Sequence, residues 1–148
     1  MVIMHIGLTV KDLDRSVAFY RDVLGLAYVG QLQMSGPETE TLFDRPGCKA
    51  RVAYLKCEGS LSGPLIELIQ FVSSPIEEKP ADLFRTSISE ICFETKDMDA
   101  FCQRLEDNHV ELLSRPQPFD FRESGFGRSK AVYFRDPDGI ILEAMENL

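Results

Sequence analysis

Four ionisable side chains in apolar, strand-length segments are the residues of this chain best suited to chemistry. His5 begins HIGLTV, Glu67 lies in PLIELIQF, Glu90 begins EICFET and Glu143 lies in IILEAMEN. A carboxylate buried in an apolar strand is destabilising unless a partner replaces its lost hydration. Three carboxylates and an imidazole gathered together would repel one another unless a cation lay among them. Their oxygen and nitrogen donors suit a divalent metal ion.

The elements that carry these residues occur twice in the chain. One copy reads HIGLTVKDLDRSVAFYRDVLGL from His5, and the other reads EICFETKDMDAFCQRLEDNHVEL from Glu90, at an offset of 85 residues. Each copy predicts an alternating strand and then an amphipathic helix, with Asp12 and Asp97 as N-caps. ARVAYLK with PLIELIQF, and SKAVYFR with IILEAMEN, predict a hairpin at the end of each half.

The repeat indicates an internal duplication with about 75 residues per unit. We expect the second strands near residues 27–34 and 110–114, and a linker over residues 72–84, where Pro75 and Pro80 lie. In each unit, a helix would cover one face of the sheet. Pairing two units, within one chain or between chains, would enclose the other faces as a cleft.

Strand alternation predicts which side chains face that cleft. His5 and Glu90 hold equivalent positions in the two first strands, and their apolar neighbours turn toward the helices. Glu67 and Glu143 are the equivalent acids of the two last strands. If the first and last strands of each unit are neighbours, all four side chains converge.

Composition excludes several classes of function. The 148 residues carry a formal net charge of −8, which disfavours nucleic-acid binding. No apolar run approaches the length of a membrane-spanning helix, so we expect no membrane association and a cytoplasmic location. The cysteines have no CxxC spacing and are expected to be small buried thiols; they are Cys48, Cys57, Cys92 and Cys102.

These segments resemble the vicinal oxygen chelate superfamily, which includes glyoxalase I, extradiol dioxygenases, methylmalonyl-CoA epimerase, and bleomycin and fosfomycin resistance proteins. HIGLTVKDLDRSVAFYRDVLGL resembles the family's opening strand and helix, and YFRDPDGIILEAME resembles its closing hairpin. The resemblance implies an α+β fold of two tandem βαβββ modules, residues 1–74 and 85–148, in a single domain of residues 1–148. Their mixed sheets would form a U-shaped cleft with the helices on the outer face. The resemblance also implies a homodimer.

In members with metal, the ligands come from the first and fourth strands of each module, which here means His5, Glu67, Glu90 and Glu143. The resemblance therefore implies a metal-dependent lyase or isomerase similar to glyoxalase I, using Mn, Fe, Co, Ni, Mg or Zn. A small substrate would offer two adjacent oxygens to the ion, which would stabilise an enediolate. Glu143 or Glu90 would be the catalytic carboxylate that carries the proton.

Glu90 departs from the family pattern, because glyoxalase I and the epimerase usually have His at this position. Glu90 is therefore a ligand, a general base beside a three-ligand metal, or a residue outside the metal site. The alternative function is a metal-free binding protein similar to the antibiotic-sequestering members. An extradiol dioxygenase is less favoured, because its iron site needs a second His.

The segment FDFRESGFGRS, residues 119–129, has two interpretations. It is either an ordinary hairpin connection or a lid over the cleft that holds an anionic substrate. In the second case the contacts would come from Phe121, Arg122, Phe126 and Arg128.

Overall fold

The computed structural model of the chain describes residues 1–57, 59 and 63–148. The chain divides into two units, Met1–Glu78 and Lys79–Leu148, and each unit contains one four-stranded sheet. Among the described residues, the longest apolar helical stretches fall short of what a membrane crossing needs.

The first unit follows the order strand, helix, strand, helix and two strands. Its elements are β1 (His5–Thr9), α1 (Leu13–Ala18, extended by a π-helical segment Phe19–Val23), β2 (Ala27–Met34), α2 (Pro37–Leu42), β3 (Ala50–Lys56) and β4 (Leu65–Phe71). The strands lie in the order β1-β4-β3-β2. β1 runs parallel to β4, and the other pairs are antiparallel. Asp12 caps α1 as expected, because its carboxylate accepts from the Arg15 amide at 3.1 Å.

The second unit repeats this topology. Its elements are β5 (Ile91–Glu94), α3 (Met98–Asp107), β6 (Gln117–Asp120), a 3₁₀ turn (Arg122–Ser124), β7 (Arg128–Arg135) and β8 (Ile141–Asn147). The order is β5-β8-β7-β6, again with the first and last strands parallel. Asp97 caps α3 by accepting from the Ala100 amide at 2.9 Å. The predicted α+β fold of two tandem βαβββ modules is confirmed.

The helix of each unit covers one face of its sheet. In the first unit, Leu8 of β1, Val10 just after it, and Ile66 and Leu68 of β4 are buried, and α1 packs on β3 and β4. His5, Gly7 and Thr9 alternate with these residues along β1 and are exposed. In the second unit, α3 packs on β8, where Leu142 and Ala144 are buried. The alternation predicted from the sequence therefore matches the structure.

The prediction of a strand at residues 110–114 is wrong. Only an isolated bridge joins Leu112 to Phe134, and the ladder proper begins at Gln117. Residues 113–115 form bends between this bridge and β6, so the chain does not stay extended from Val110 to Gln117.

The sequence did not predict α2, whose place in the second unit is taken by the 3₁₀ turn Arg122–Ser124. Pro37 occupies the first turn of this helix, and Glu38 and Glu40 are also at its N-terminal end, where proline and negative charge are both favourable. The predicted turn between β3 and β4 includes residues 58 and 60–62, which lie outside the described residues.

Candidate functional site

Glu67 lies in the middle of β4, in register with Gly7 of β1 and Tyr54 of β3. It is 9% exposed, and both of its oxygens have neighbours. The Tyr54 hydroxyl donates to Oε1 at 2.5 Å, and His5 Nε2 lies 3.4 Å from Oε2. The acid in this apolar strand therefore has partners that replace its lost hydration.

The Tyr54 phenol is held in its protonated, donating form. Its hydrogen bond to Glu67 raises the pKa of Tyr54 to about 12, and lost hydration and the negative charge of Glu67 act in the same direction. Tyr54 therefore donates to the Glu67 carboxylate at neutral pH and fixes the orientation of that carboxylate.

Gly7 leaves room beside the second oxygen of Glu67. A Cβ atom at Gly7 would lie 3.2 Å from Glu67 Oε2, which is closer than ordinary contact distance. Two ligands of one ion, each about 2.1 Å from it and separated by roughly 90–110°, lie about 3.0–3.4 Å apart. His5 Nε2 and Glu67 Oε2, at 3.4 Å, have a spacing and a donor chemistry that fit a shared divalent ion.

Glu143 occupies the equivalent place in β8, in register with Cys92 of β5 and Tyr133 of β7. Lost hydration raises the pKa of the Cys92 thiol to about 12, and a hydrogen bond to Glu143 and the charges of Glu143 and Glu90 add to this effect. The pKa of Tyr133 is also raised, first by lost hydration and then by the negative charges of Glu143 and Glu90. The negative charges of Glu90 and Glu143 therefore both raise the pKa of the Cys92 thiol and the pKa of the Tyr133 phenol.

The two tyrosines are site residues that the sequence analysis missed. Both are the fifth residue of their matching segments, Tyr54 in ARVAYLK and Tyr133 in SKAVYFR, and each lies opposite the acid of the neighbouring strand. The repeat in the sequence therefore already marks the two tyrosines as equivalent positions of the two units. Cys92 was predicted to be a buried thiol but is exposed, as is Cys57, whereas Cys48 and Cys102 are buried and all four cysteines are free.

The hairpin between β6 and β7 gives its arginine an internal partner. Arg122 Nη2 lies 2.6 Å from Asp120 Oδ2, and Phe119 stacks on Phe121 with ring centroids 5.5 Å apart. Phe126 is 86% exposed. Arg122 is thus engaged by Asp120, and the lid interpretation stays a prediction.

The family follows from a comparison with known proteins. The model of the Glyoxalase/Bleomycin resistance protein/Dioxygenase superfamily matches residues 2–144. This chain belongs to that superfamily. A crystal structure of a glyoxalase family protein from Bacillus cereus matches with a TM-score of 0.87 at 18% identity, over 100% of this chain and 95% of that chain, which supports the shared fold.

Two curated members of the superfamily are similar over most of their length. Lactoylglutathione lyase of Haemophilus influenzae is 29% identical over 147 residues, covering 99% of this chain and 93% of that protein. Metallothiol transferase FosB of Staphylococcus epidermidis is 30% identical over 141 residues, covering 94% of this chain and 77% of that protein.

Superfamily members often use divalent metals, and the sequence-predicted ligands occur in the two units as pairs. His5 and Glu67 lie together in the first unit, and Glu90 and Glu143 lie around Cys92 in the second. Within residues 1–57, 59 and 63–148, no three His, Cys, Asp or Glu side chains form a group that could hold a metal ion. The four-residue metal site therefore stays a prediction.

Proposed function

We propose that this superfamily member is a metal-dependent lyase or isomerase resembling glyoxalase I. It would act on a small substrate with two adjacent oxygens by removing a proton from the neighbouring carbon. The observation that carries the proposal is the Glu67 carboxylate, fixed by Tyr54 and spaced from His5 as two ligands of one ion are. The similarity to a lactoylglutathione lyase supports the same class of reaction.

His5 and Glu67 from the first unit, with Glu143 and Glu90 from the second, would hold the ion. A divalent ion bound there would supply a Lewis acid that stabilises negative charge on the substrate oxygens. The ligands would come from one chain or from two chains of a homodimer, and we propose a cytoplasmic homodimer.

The carboxylates of the second unit would move the proton. Glu143 lies in register with Cys92 and Tyr133 and is only partly buried, which leaves its carboxylate accessible to a substrate. An ionised Glu143 is able to accept a proton from a carbon within hydrogen-bond reach. Glu90 would serve as a fourth ligand or as a second base.

The proposal is tested with methylglyoxal and glutathione, by following the formation of lactoylglutathione. Protein stripped of metal is compared with protein loaded separately with Mn, Co, Ni or Zn. We expect turnover only with metal, and a loss of about 100-fold or more in kcat for Glu143→Gln, because general base catalysis contributes about that factor. Glu111→Gln is the matched control, because Glu111 pairs with Arg135 at 3.6 Å. Absence of product from all the metal-loaded forms would exclude lactoylglutathione formation as the reaction, and absence of stoichiometric metal from the purified protein would contradict the proposal.

A metal-free binding protein is the second candidate. It is favoured by the hydrogen bond from Tyr54 that satisfies the buried Glu67 carboxylate without an ion. Elemental analysis of protein purified without chelator separates the two functions, because a sequestering protein would hold no stoichiometric metal. A dioxygenase is disfavoured, because the second histidine, His109, follows α3 and lies outside the strands that carry His5 and the three acids.

A further inference from the structure

A cavity of about 380 Å³ lies within the first unit and has a largely apolar wall. Phe43 and Phe71 meet edge to face in this wall, with ring centroids 5.1 Å apart. Cys48, which is buried, and Pro75 and Ile76 extend the apolar surface. Two aromatic rings and a proline favour a flat apolar ligand over a polar one.

The cavity adjoins the Glu67 cluster on the same face of the sheet. Thr9 lines the cavity and lies two residues beyond Gly7 on β1. At about 3.3 Å per residue, these two positions are roughly 7 Å apart along the strand. Gly7 is in register with Glu67, so a small ligand seated in the cavity is able to extend to His5 and Glu67.

Arg45 gives the cavity an anchor for a negative charge. It lines the cavity, and among the described residues its guanidinium has no hydrogen-bond or ion-pair partner. Glu77 lines the same cavity but is engaged in an interaction of its own. The planar guanidinium group matches a carboxylate through two parallel hydrogen bonds.

We propose that this cavity binds the substrate body and selects a small aromatic carboxylate. The rings of Phe43 and Phe71 contact the flat apolar part of the substrate, and Arg45 holds its carboxylate. This inference rests on the proposed function for its link to chemistry and deepens it by naming the substrate class. The binding itself is measurable without turnover.

The probes are 2-naphthoate and its neutral analogue 2-naphthamide, titrated by isothermal calorimetry. We expect wild-type protein to bind both and to prefer naphthoate. Arg45→Gln should weaken naphthoate binding by about tenfold or more, since a hydrogen-bonded ion pair contributes about that free energy, and should leave naphthamide binding unchanged. The matched control is Arg21→Gln on the helical face, where Arg21 pairs with the adjacent Asp22; it should bind both probes as wild type does.

A second variant tests the cavity itself. Ser74 lines it, and Ser74→Phe should fill the space and abolish binding of both probes, with folding checked by circular dichroism. The proposal is overturned if wild-type protein binds neither probe, if Arg45→Gln binds naphthoate as wild type does, or if Ser74→Phe retains binding.

Elemental analysis of the same samples separates this inference from the proposed function. Both variants should keep the metal content of wild type, because neither changes a proposed ligand. The expected binding pattern without stoichiometric metal would uphold the cavity and overturn the lyase. Stoichiometric metal without the expected binding pattern would overturn the proposed cavity and leave the metal site of the proposed function standing.

Discussion

At the scale of single residues, the two units surround the equivalent acid differently. Glu67 accepts from the Tyr54 phenol at 2.5 Å, whereas the pKa of the equivalent Tyr133 is raised by lost hydration and negative charge and not by a hydrogen bond to Glu143. Glu143 is therefore held less firmly than Glu67. This difference fits a division in which Glu67 is a fixed ligand and Glu143 is the carboxylate that moves a proton.

Tyr54→Phe should lower the free energy of unfolding by about 1–3 kcal/mol, because the buried Glu67 oxygen loses its donor. Urea denaturation monitored by circular dichroism measures the change. The matched control is Tyr133→Phe, because the raised pKa of Tyr133 comes from lost hydration and nearby negative charges and not from a hydrogen bond; its loss should be smaller. Equal losses in the two variants would show that the hydroxyl of Tyr54 has no special role at Glu67.

At the scale of elements, polar contacts fix α1 on its sheet. Arg51 of β3 makes a two-pronged ion pair with Asp14 of α1, at 2.8 and 3.2 Å. Gln70 of β4 accepts from the Leu13 amide at 3.3 Å and donates to the Lys11 carbonyl at 2.9 Å. These contacts hold the start of the helix across β3 and β4, and β4 is the strand that carries Glu67.

Asp14→Asn should lower stability at neutral pH, and the difference from wild type should disappear in acid. Arg51 lowers the pKa of Asp14 in the folded protein, chiefly through their hydrogen bonds. The stabilisation is therefore present above the ordinary pKa of aspartate and is lost as pH falls through the lowered value. Urea midpoints measured at neutral pH and in acid give the comparison.

The control for this ion pair is Asp22→Asn, which removes a pair between adjacent residues, Arg21 and Asp22. Neighbours in sequence stay close in the unfolded chain, so this variant should cost less stability than Asp14→Asn. A deficit for Asp14→Asn that persisted unchanged in acid would show that the carboxylate charge is not its cause.

At the scale of the whole molecule, the duplication explains how much the sequence predicted. Features present in both copies, the capped helices and the closing hairpins, were predicted and confirmed. The helix α2 was not predicted, because it spans only six residues, which are too few to show a clear helical period. The repeat marks Tyr54 and Tyr133 as equivalent, but alternation along one strand says nothing about register with the next, so only the structure places them opposite Glu67 and Glu143.

The most direct test of the metal site is the metal content of purified variants, measured by elemental mass spectrometry. Wild-type protein prepared without chelator should hold a divalent ion in stoichiometric amount, and Glu67→Gln and Glu143→Gln should each lose most of it, because an amide is a neutral and weaker ligand than a carboxylate. Glu111→Gln should keep the wild-type content. If both ligand variants retain the wild-type metal content, or if wild-type protein holds no stoichiometric metal, the proposed metal site is wrong.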